Sequence, residues 1–168
     1  SLEKLYLCHN RIGNAGCETI ATLLSDPISN LHTLHLTNNL IGVDGAVSLV
    51  NGLTNNAKLR ELYLAGNSIN QSSVDAFKKL LCNKSSINSI YSSNHTLQTL
   101  QGISQRRGNN ELDSLLKMNK CTNKSHVAIK KIAKFHPNID MEPFFEWNME
   151  GEGERDLKAL PYVVAWFE

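Results

Sequence analysis

The sequence lacks the features that mark membrane proteins, metalloproteins and most enzymes. Its apolar runs are far too short to span a bilayer, and no N-terminal signal peptide is recognisable. Its 4 Cys and 6 His form no C-x-x-C pair and no H-E-x-x-H motif. No nucleophile motif and no glycine-rich phosphate loop is present either. We therefore expect no enzyme activity, no cofactor and no metal.

Net charge is also almost absent. The chain has 17 Lys and Arg against 16 Asp and Glu, so nothing global favours nucleic acid or a membrane surface as a partner. The charges are unevenly placed, however. Residues 98–136 are mainly basic and residues 137–168 mainly acidic. We favour packing of these two segments on each other through complementary charge; the alternative is a basic face for an acidic protein or RNA.

Disulfide bonds are not indicated. Four cysteines in a domain of this size, without a recognisable framework, are typical of reduced and mostly buried thiols. They are Cys8, Cys17, Cys82 and Cys121. An intracellular location is favoured, although the compartment stays open.

What the sequence does contain is a repeat. Segments that begin at Leu2, Leu31 and Leu59 all read L-x-x-L-x-L-x-x-N-x-I, with starts 29 and then 28 residues apart. Side chains alternate between the two faces of a strand, so the second and third leucines of each segment point together into a core. Each segment is followed by a stretch of helical periodicity. The repeat therefore predicts an α/β solenoid with parallel strands on its concave side and helices on its convex side.

The repeated asparagine, at Asn10, Asn39 and Asn67, follows each strand where the chain turns. Buried backbone groups at such a turn need hydrogen-bond partners, and an amide side chain offers both donors and an acceptor. We therefore expect these three residues to form a structural ladder between neighbouring coils.

These motifs resemble the leucine-rich-repeat family, and specifically its ribonuclease-inhibitor-like class. That class also occurs in intracellular immune receptors and in activators of the small GTPase Ran. The resemblance covers roughly residues 2–97 and implies a horseshoe fragment with a binding role and no catalysis. The end of the chain, from "HPNIDMEPFFEW" to "LPYVVAWFE", is similar to the ending of uncharacterised leucine-rich-repeat proteins of diatoms, which implies no activity.

A fourth, degenerate copy is expected at Ile87–Leu97, which begins 28 residues after Leu59. Terminal repeats are atypical because one side meets a different structure. After Leu97 the pattern changes to helices, one of them with Ser125 as N-cap and Pro137 beyond its end. The expected division is therefore residues 1–97 as leucine-rich repeats and residues 98–168 as a helical C-terminal capping region.

The best candidate for a binding site is a column of side chains on the concave face. One central strand position per coil carries an aromatic ring or an imidazole, and two charged residues flank the third of them. The column is Tyr6, His35, Tyr63 and Tyr91, and the flanking residues are Arg60 and Glu61. Tyrosine is enriched at binding hot spots, although it also simply suits exposed strand positions.

The favoured function is a protein-interaction module that binds a partner of unknown identity on this concave face. One alternative is a small-GTPase regulator of the Ran-activator type. Another is an architectural subunit of a larger assembly, docked through the C-terminal tail. The first coil has no polar cap before it, which predicts either a further coil upstream or self-association through this open edge.

Overall fold

Strands and helices alternate along the first three coils, as the repeat predicts. The computed structural model describes residues 2–103 and 110–138. The elements of these residues, in chain order, are β1 (Lys4–Tyr6), α1 (Gly13–Ser25), β2 (Thr33–His35), α2 (Val43–Leu53), β3 (Glu61–Tyr63), α3 (Gln71–Leu81), α4 (Ile87–Tyr91), β4 (Thr99–Gln101), α5 (Asn110–Met118) and α6 (Lys124–Phe135).

The four strands form one parallel sheet in the order β1-β2-β3-β4. Its central row is Leu5, Leu34, Leu62 and Leu100, aligned residue by residue across the strands. The last three of these leucines are fully buried, while Leu5, on the edge strand, is partly buried against the same core. The predicted α/β leucine-rich-repeat solenoid is thus confirmed.

A tight turn follows each of the first three strands. His9, Asn38 and Gly66 occupy equivalent places in this turn, and all three adopt left-handed backbone with φ of 57°, 56° and 69°. The asparagine of the repeat comes directly after each of them. Asn67 accepts from the backbone amides of Asn39 and Ile41 at 3.0 Å in both cases.

The side-chain NH2 groups of these asparagines donate to backbone carbonyls. Asn67 Nδ2 donates to the carbonyl of Leu36 at 2.8 Å, and Asn39 Nδ2 donates to that of Leu7 at 2.7 Å. Asn39 is fully buried between coils. Asn10, in the first coil, is exposed and donates to the carbonyls of Leu7 and Cys8 in its own coil.

The convex helices are unevenly spaced. Between α1 and α2, a Cβ added to Gly52 would lie 2.6 Å from the carbonyl oxygen of Ala21, so the two backbones approach as closely as glycine allows. One coil later, the equivalent positions carry the larger Val50 and Leu80. These two side chains line a groove of about 360 Å³ on the convex face, between α2 and α3.

The predicted fourth strand is wrong. Ile87–Tyr91 is the helix α4, and the strand that pairs with β3 is Thr99–Gln101. The I-x-x-I spacing fits the strand template, but it also places two side chains on one face of a helix. Ile90 is fully buried on that face. Ser86 caps α4, because its side chain accepts from the backbone amide of Ser89 at 3.0 Å.

The third coil therefore contains an insertion. Leu97 is buried and occupies the place that Leu59 has in the coil before, yet it lies 38 residues later instead of 28. About ten extra residues, which include α4, separate the end of α3 from β4. The domain boundary expected at residue 97 falls before β4, whereas the sheet continues to Gln101.

A second set of buried asparagines, which sequence reasoning missed, precedes the strands. Asn56 Nδ2 donates to the carbonyl of Leu24 at 2.7 Å, and Asn94 Nδ2 donates to that of Leu53 at 2.9 Å. Asn119 Nδ2 continues the series with a 2.7 Å bond to the carbonyl of Leu97. This ladder runs past the predicted end of the repeats, so β4 and α5 together make a fourth coil.

The start of α6 also differs from the prediction. The N-cap is Asn123, whose side chain accepts from the backbone amide of His126, and Ser125 lies within the first turn of the helix. The helix ends at Phe135, before Pro137, as expected. The rest of the capping region, residues 139–168, lies outside the described residues, and so does most of the acidic segment.

Candidate functional site

Three rings of the predicted column lie stacked on the concave face. Tyr6, His35 and Tyr63 are paired in register across β1, β2 and β3. The ring centroids of Tyr6 and His35 are 4.6 Å apart, and those of His35 and Tyr63 are 3.9 Å apart with an interplanar angle of 5°. Parallel strands are about 4.8 Å apart, so rings at one register naturally meet face to face.

The ring at the edge of the sheet is more exposed than the other two. Tyr6 is 62% exposed, while His35 and Tyr63 are half-buried by their neighbours. Each face of the imidazole is covered by a phenol ring. The stack is therefore a preformed ridge, whose free surfaces are the ring edges and the outer faces of the two tyrosines.

A polar contact fixes the Tyr63 end of the ridge. The Tyr63 hydroxyl and the Thr33 hydroxyl both donate to Glu61 Oε2, each at 3.3 Å. Burial, followed by the nearby Glu61 carboxylate, raises the pKa of Tyr63 above its usual value. The phenol thus stays protonated near neutral pH as a hydrogen-bond donor.

Tyr91 is not part of the column, which corrects the sequence prediction. It lies half-buried at the end of α4, and its carbonyl bonds to His95 Nε2 at 3.0 Å. The residue opposite Tyr63 on β4 is Gln101. The misplaced strand caused this error. The recurrence of N-x-x-L at Asn56 and Asn94 would have indicated the correct register.

Arg60 is exposed at the beginning of β3. Its carbonyl accepts from the backbone amides of Gln98 and Thr99, which joins the third coil to the fourth. Its positive charge is close enough to Lys124 to contribute to a lowered pKa there, after the larger effect of burial. Arg60 thus lies where the third coil meets the fourth.

A hollow lies where the ring stack ends. It has a volume of about 580 Å³ and is bounded by β4, by α5 and by the ring of Tyr63. Sequence reasoning missed its lining because it misplaced β4. The lining residues that matter below are Thr99, Gln101, Asp113, Leu116, Lys117 and Lys120.

A buried lysine lies behind the fourth coil. Lys131 on α6 has no exposed surface, and its Nζ donates to the carbonyl of Leu81 at 2.6 Å. The same atom lies 3.0 Å from His95 Nδ1. Burial lowers the pKa of Lys131 to about 7, and burial together with the charge of Lys131 lowers that of His95 to about 4. His95 is therefore neutral near pH 7, with Nδ1 as acceptor and Nε2 as donor.

The cysteines are unpaired, as expected. Cys17 and Cys82 are buried, and burial raises the pKa of Cys17 to about 11. Within residues 2–103 and 110–138, no cluster of three or more His, Cys, Asp or Glu could hold a metal ion. Of the helices described, none is long and apolar enough to cross a membrane.

Comparison with known families agrees with the architecture. Models described as leucine-rich repeat match residues 1–21, 28–50 and 58–80, which correspond to the first three coils. No curated protein gives a significant match to the chain. The matches support a leucine-rich-repeat protein, and such repeats generally mediate protein–protein interaction and are typically not enzymes.

Proposed function

We propose that this leucine-rich-repeat protein is an interaction module that binds a protein partner on its concave face, with the Tyr6, His35 and Tyr63 ring stack at the centre of the contact. The observation that carries the proposal is the stack itself. Three large rings project from a rigid sheet on the side opposite the core. Tyrosine rings combine a large contact area with a polar tip, which is typical of binding hot spots.

The rings are also already ordered. Mutual stacking and the bond from Tyr63 to Glu61 hold the side chains in the free protein. Fixing a rotamer-rich side chain on binding costs about 0.5–1.5 kcal/mol, and a preordered side chain avoids most of that cost. A partner that meets this ridge therefore loses little affinity to ordering.

The test compares Tyr63→Ala with the parent chain. A partner is first identified by affinity capture from the native source and is then titrated by calorimetry. Tyr63→Ala is expected to weaken binding by roughly 2 kcal/mol or more. Tyr63→Phe keeps the ring stack and should bind nearly as the parent does.

Lys79→Ala on the exposed convex side of α3 is the second control and should leave affinity unchanged. If Tyr63→Ala binds as tightly as the parent, the concave-face proposal is wrong.

The two alternative functions remain separate proposals. A regulator of the Ran-activator type would change the rate of GTP hydrolysis by a small GTPase, which a turnover assay measures directly. An architectural subunit would dock through residues 137–168, almost all of which lie outside the described part of the chain. Self-association through the first coil also stays a prediction, and sedimentation over a range of concentrations tests it.

A further inference from the structure

The hollow beside the ring stack is large enough to receive part of a partner chain. Its volume of about 580 Å³ lies within the range of about 300–1,000 Å³ that is usual for ligand sites. Strand β4 lines it through Thr99 and Gln101, and α5 lines it through Asp113, Leu116 and Lys117. Tyr63, at the end of the ring stack, lines it as well, so a segment that contacts the stack and continues past Tyr63 enters the hollow.

Positive charge gathers around the hollow. Lys117 and Lys120 line it, and neither forms a salt bridge with any described residue. Arg60 lies beside it, because its carbonyl accepts from the backbone amides of Gln98 and Thr99, which also line the hollow. Lys124 lies beside it too, because its ammonium bonds to the carbonyls of the residues on either side of Lys120. The Lys124 ammonium donates only to the carbonyls of Asn119 and Cys121 among its described contacts, at 2.8 and 3.0 Å, so no carboxylate there neutralises it.

Two acids lie near these four cations. Asp113 lines the hollow, and Glu61 stands at its edge. Glu61 Oε2 already accepts from two hydroxyls, those of Tyr63 and Thr33. Four cations against two acids leave the surroundings of the hollow net positive, and a net positive cleft attracts an anionic group more strongly than a flat surface does.

We propose that the hollow receives an acidic segment of the protein partner. A carboxylate of that segment pairs with Lys117 and Lys120, and a neighbouring apolar side chain packs against Tyr63 and Leu116. The amide of Gln101 supplies a further donor. This inference rests on the proposed function, because it assigns the chemistry of the partner at the same concave face.

A nucleic acid fits the site less well. Single-stranded nucleic acids bind through bases that stack on free aromatic faces. Here both faces of His35 are covered, and Tyr6 and Tyr63 each keep only an outer face free, at opposite ends of the stack, so successive bases find no continuous stacking platform. A carboxylate-bearing peptide needs only the lysines and a single apolar contact.

The experiment selects peptides on the full chain from a random library displayed on phage. The same selection is run on the double variant Lys117→Gln/Lys120→Gln and on the control Lys79→Gln/Lys130→Gln. The control removes two exposed lysines from other helices. Peptides selected on the parent and on the control should be enriched in Asp and Glu. Individual synthetic peptides should bind the Lys117/Lys120 variant about tenfold more weakly.

The outcomes separate this inference from the proposed function. Selected peptides that bind Tyr63→Ala as well as the parent would overturn the concave site itself. If the binding of the selected peptides depends on Tyr63 but the peptides are not enriched in Asp and Glu, only the proposal of an acidic partner segment is wrong. The same conclusion follows if selection on the Lys117→Gln/Lys120→Gln variant gives the same acidic enrichment as selection on the parent. The inference also fails if no peptide is selected, which is the result expected if the acidic residues of 139–168 filled the hollow. It fails as well if a labelled oligouridine, and no peptide, binds through Lys117 and Lys120.

Discussion

Buried asparagine is the residue that joins neighbouring coils of this molecule. Asn67 links the third coil to the second with both ends of its amide. At the opposite end of the strands, Asn56 and Asn94 donate to a carbonyl of the preceding coil, while their side-chain oxygens accept from backbone amides of their own coil. Each amide satisfies backbone groups that water does not reach. An apolar side chain of the same size would leave those groups unpaired, which costs about 1–3 kcal/mol for each stranded group.

Asn67→Ala tests this role at one residue. The change removes the acceptor of the backbone amides of Asn39 and Ile41, both of which are fully buried residues. The free energy of unfolding is expected to fall by about 1–3 kcal/mol in equilibrium urea denaturation. Asn10→Ala is the matched control, because Asn10 is exposed and water can replace its bonds. A similar loss in both variants would contradict the ladder role.

Leu40 is a strained residue whose strain can be relieved. It is 67% exposed and has a φ of 58°, in the left-handed region that is unfavourable for a branched side chain. Leu40→Asn should raise the free energy of unfolding by about 0.5–1 kcal/mol, because asparagine tolerates this conformation. Leu40→Ala keeps the strain and should give no comparable gain. Equal effects of the two changes in denaturant titrations would show that φ is not the cause.

At the scale of elements, the sequence predicted each regular coil and failed at the insertion. The six-position repeat located β1 to β3 and the helices that follow, because every position of the template carries a distinct packing role. It failed at Ile87 and Ile90, since apolar residues three apart satisfy a strand template and a helix face equally. The spacing of these two residues cannot decide between them; the pairing of Thr99–Gln101 with β3 does.

The spacing of α1 and α2 depends on Gly52. Glycine to alanine in a helix interior normally stabilises by about 0.5–1 kcal/mol. Here the added methyl group would lie 2.6 Å from the carbonyl oxygen and 2.7 Å from the Cα of Ala21, and backbone atoms cannot yield easily. Gly52→Ala is therefore expected to lower the free energy of unfolding by about 1–3 kcal/mol. The control is Asn51→Ala, at the exposed position next to it, which should be neutral or slightly stabilising. A stabilising Gly52→Ala would refute the close approach.

At the scale of the whole molecule, part of the candidate site could be predicted from the sequence and part could not. Tyr6, His35 and Tyr63 were placed together because strand register follows from the repeat. Gln101, Lys117 and the hollow depend on where α5 meets the sheet, and that tertiary contact leaves no periodic signal in the chain. The attachment of α6 through Lys131 was hidden for the same reason, since a lysine in a helix is normally predicted to face solvent.

Lys131 and His95 make stability depend on pH where α6 meets the solenoid. The pKa of Lys131 is about 7 in the folded chain and has an ordinary value of 10.5. Between these values the unfolded chain binds more protons, so the free energy of unfolding rises with pH. His95, with a pKa of about 4 against 6.5, acts in the same direction between those two values. Cys82 acts in the opposite sense only above its ordinary pKa of 9.0, since burial raises its pKa.

Urea denaturation at a series of pH values from about 4 to 9 should therefore show stability rising through two windows, near pH 4–6.5 and above pH 7. Lys131→Met should flatten the upper window, and His95→Gln should flatten the lower one while keeping an acceptor for the ammonium. Lys130→Met, an exposed neighbour on α6, should change neither slope. The slopes decide the question independently of how much each variant destabilises the fold. If Lys131→Met keeps the full slope between pH 7 and 9, burial does not lower the pKa of Lys131, and another group causes the pH dependence in this window.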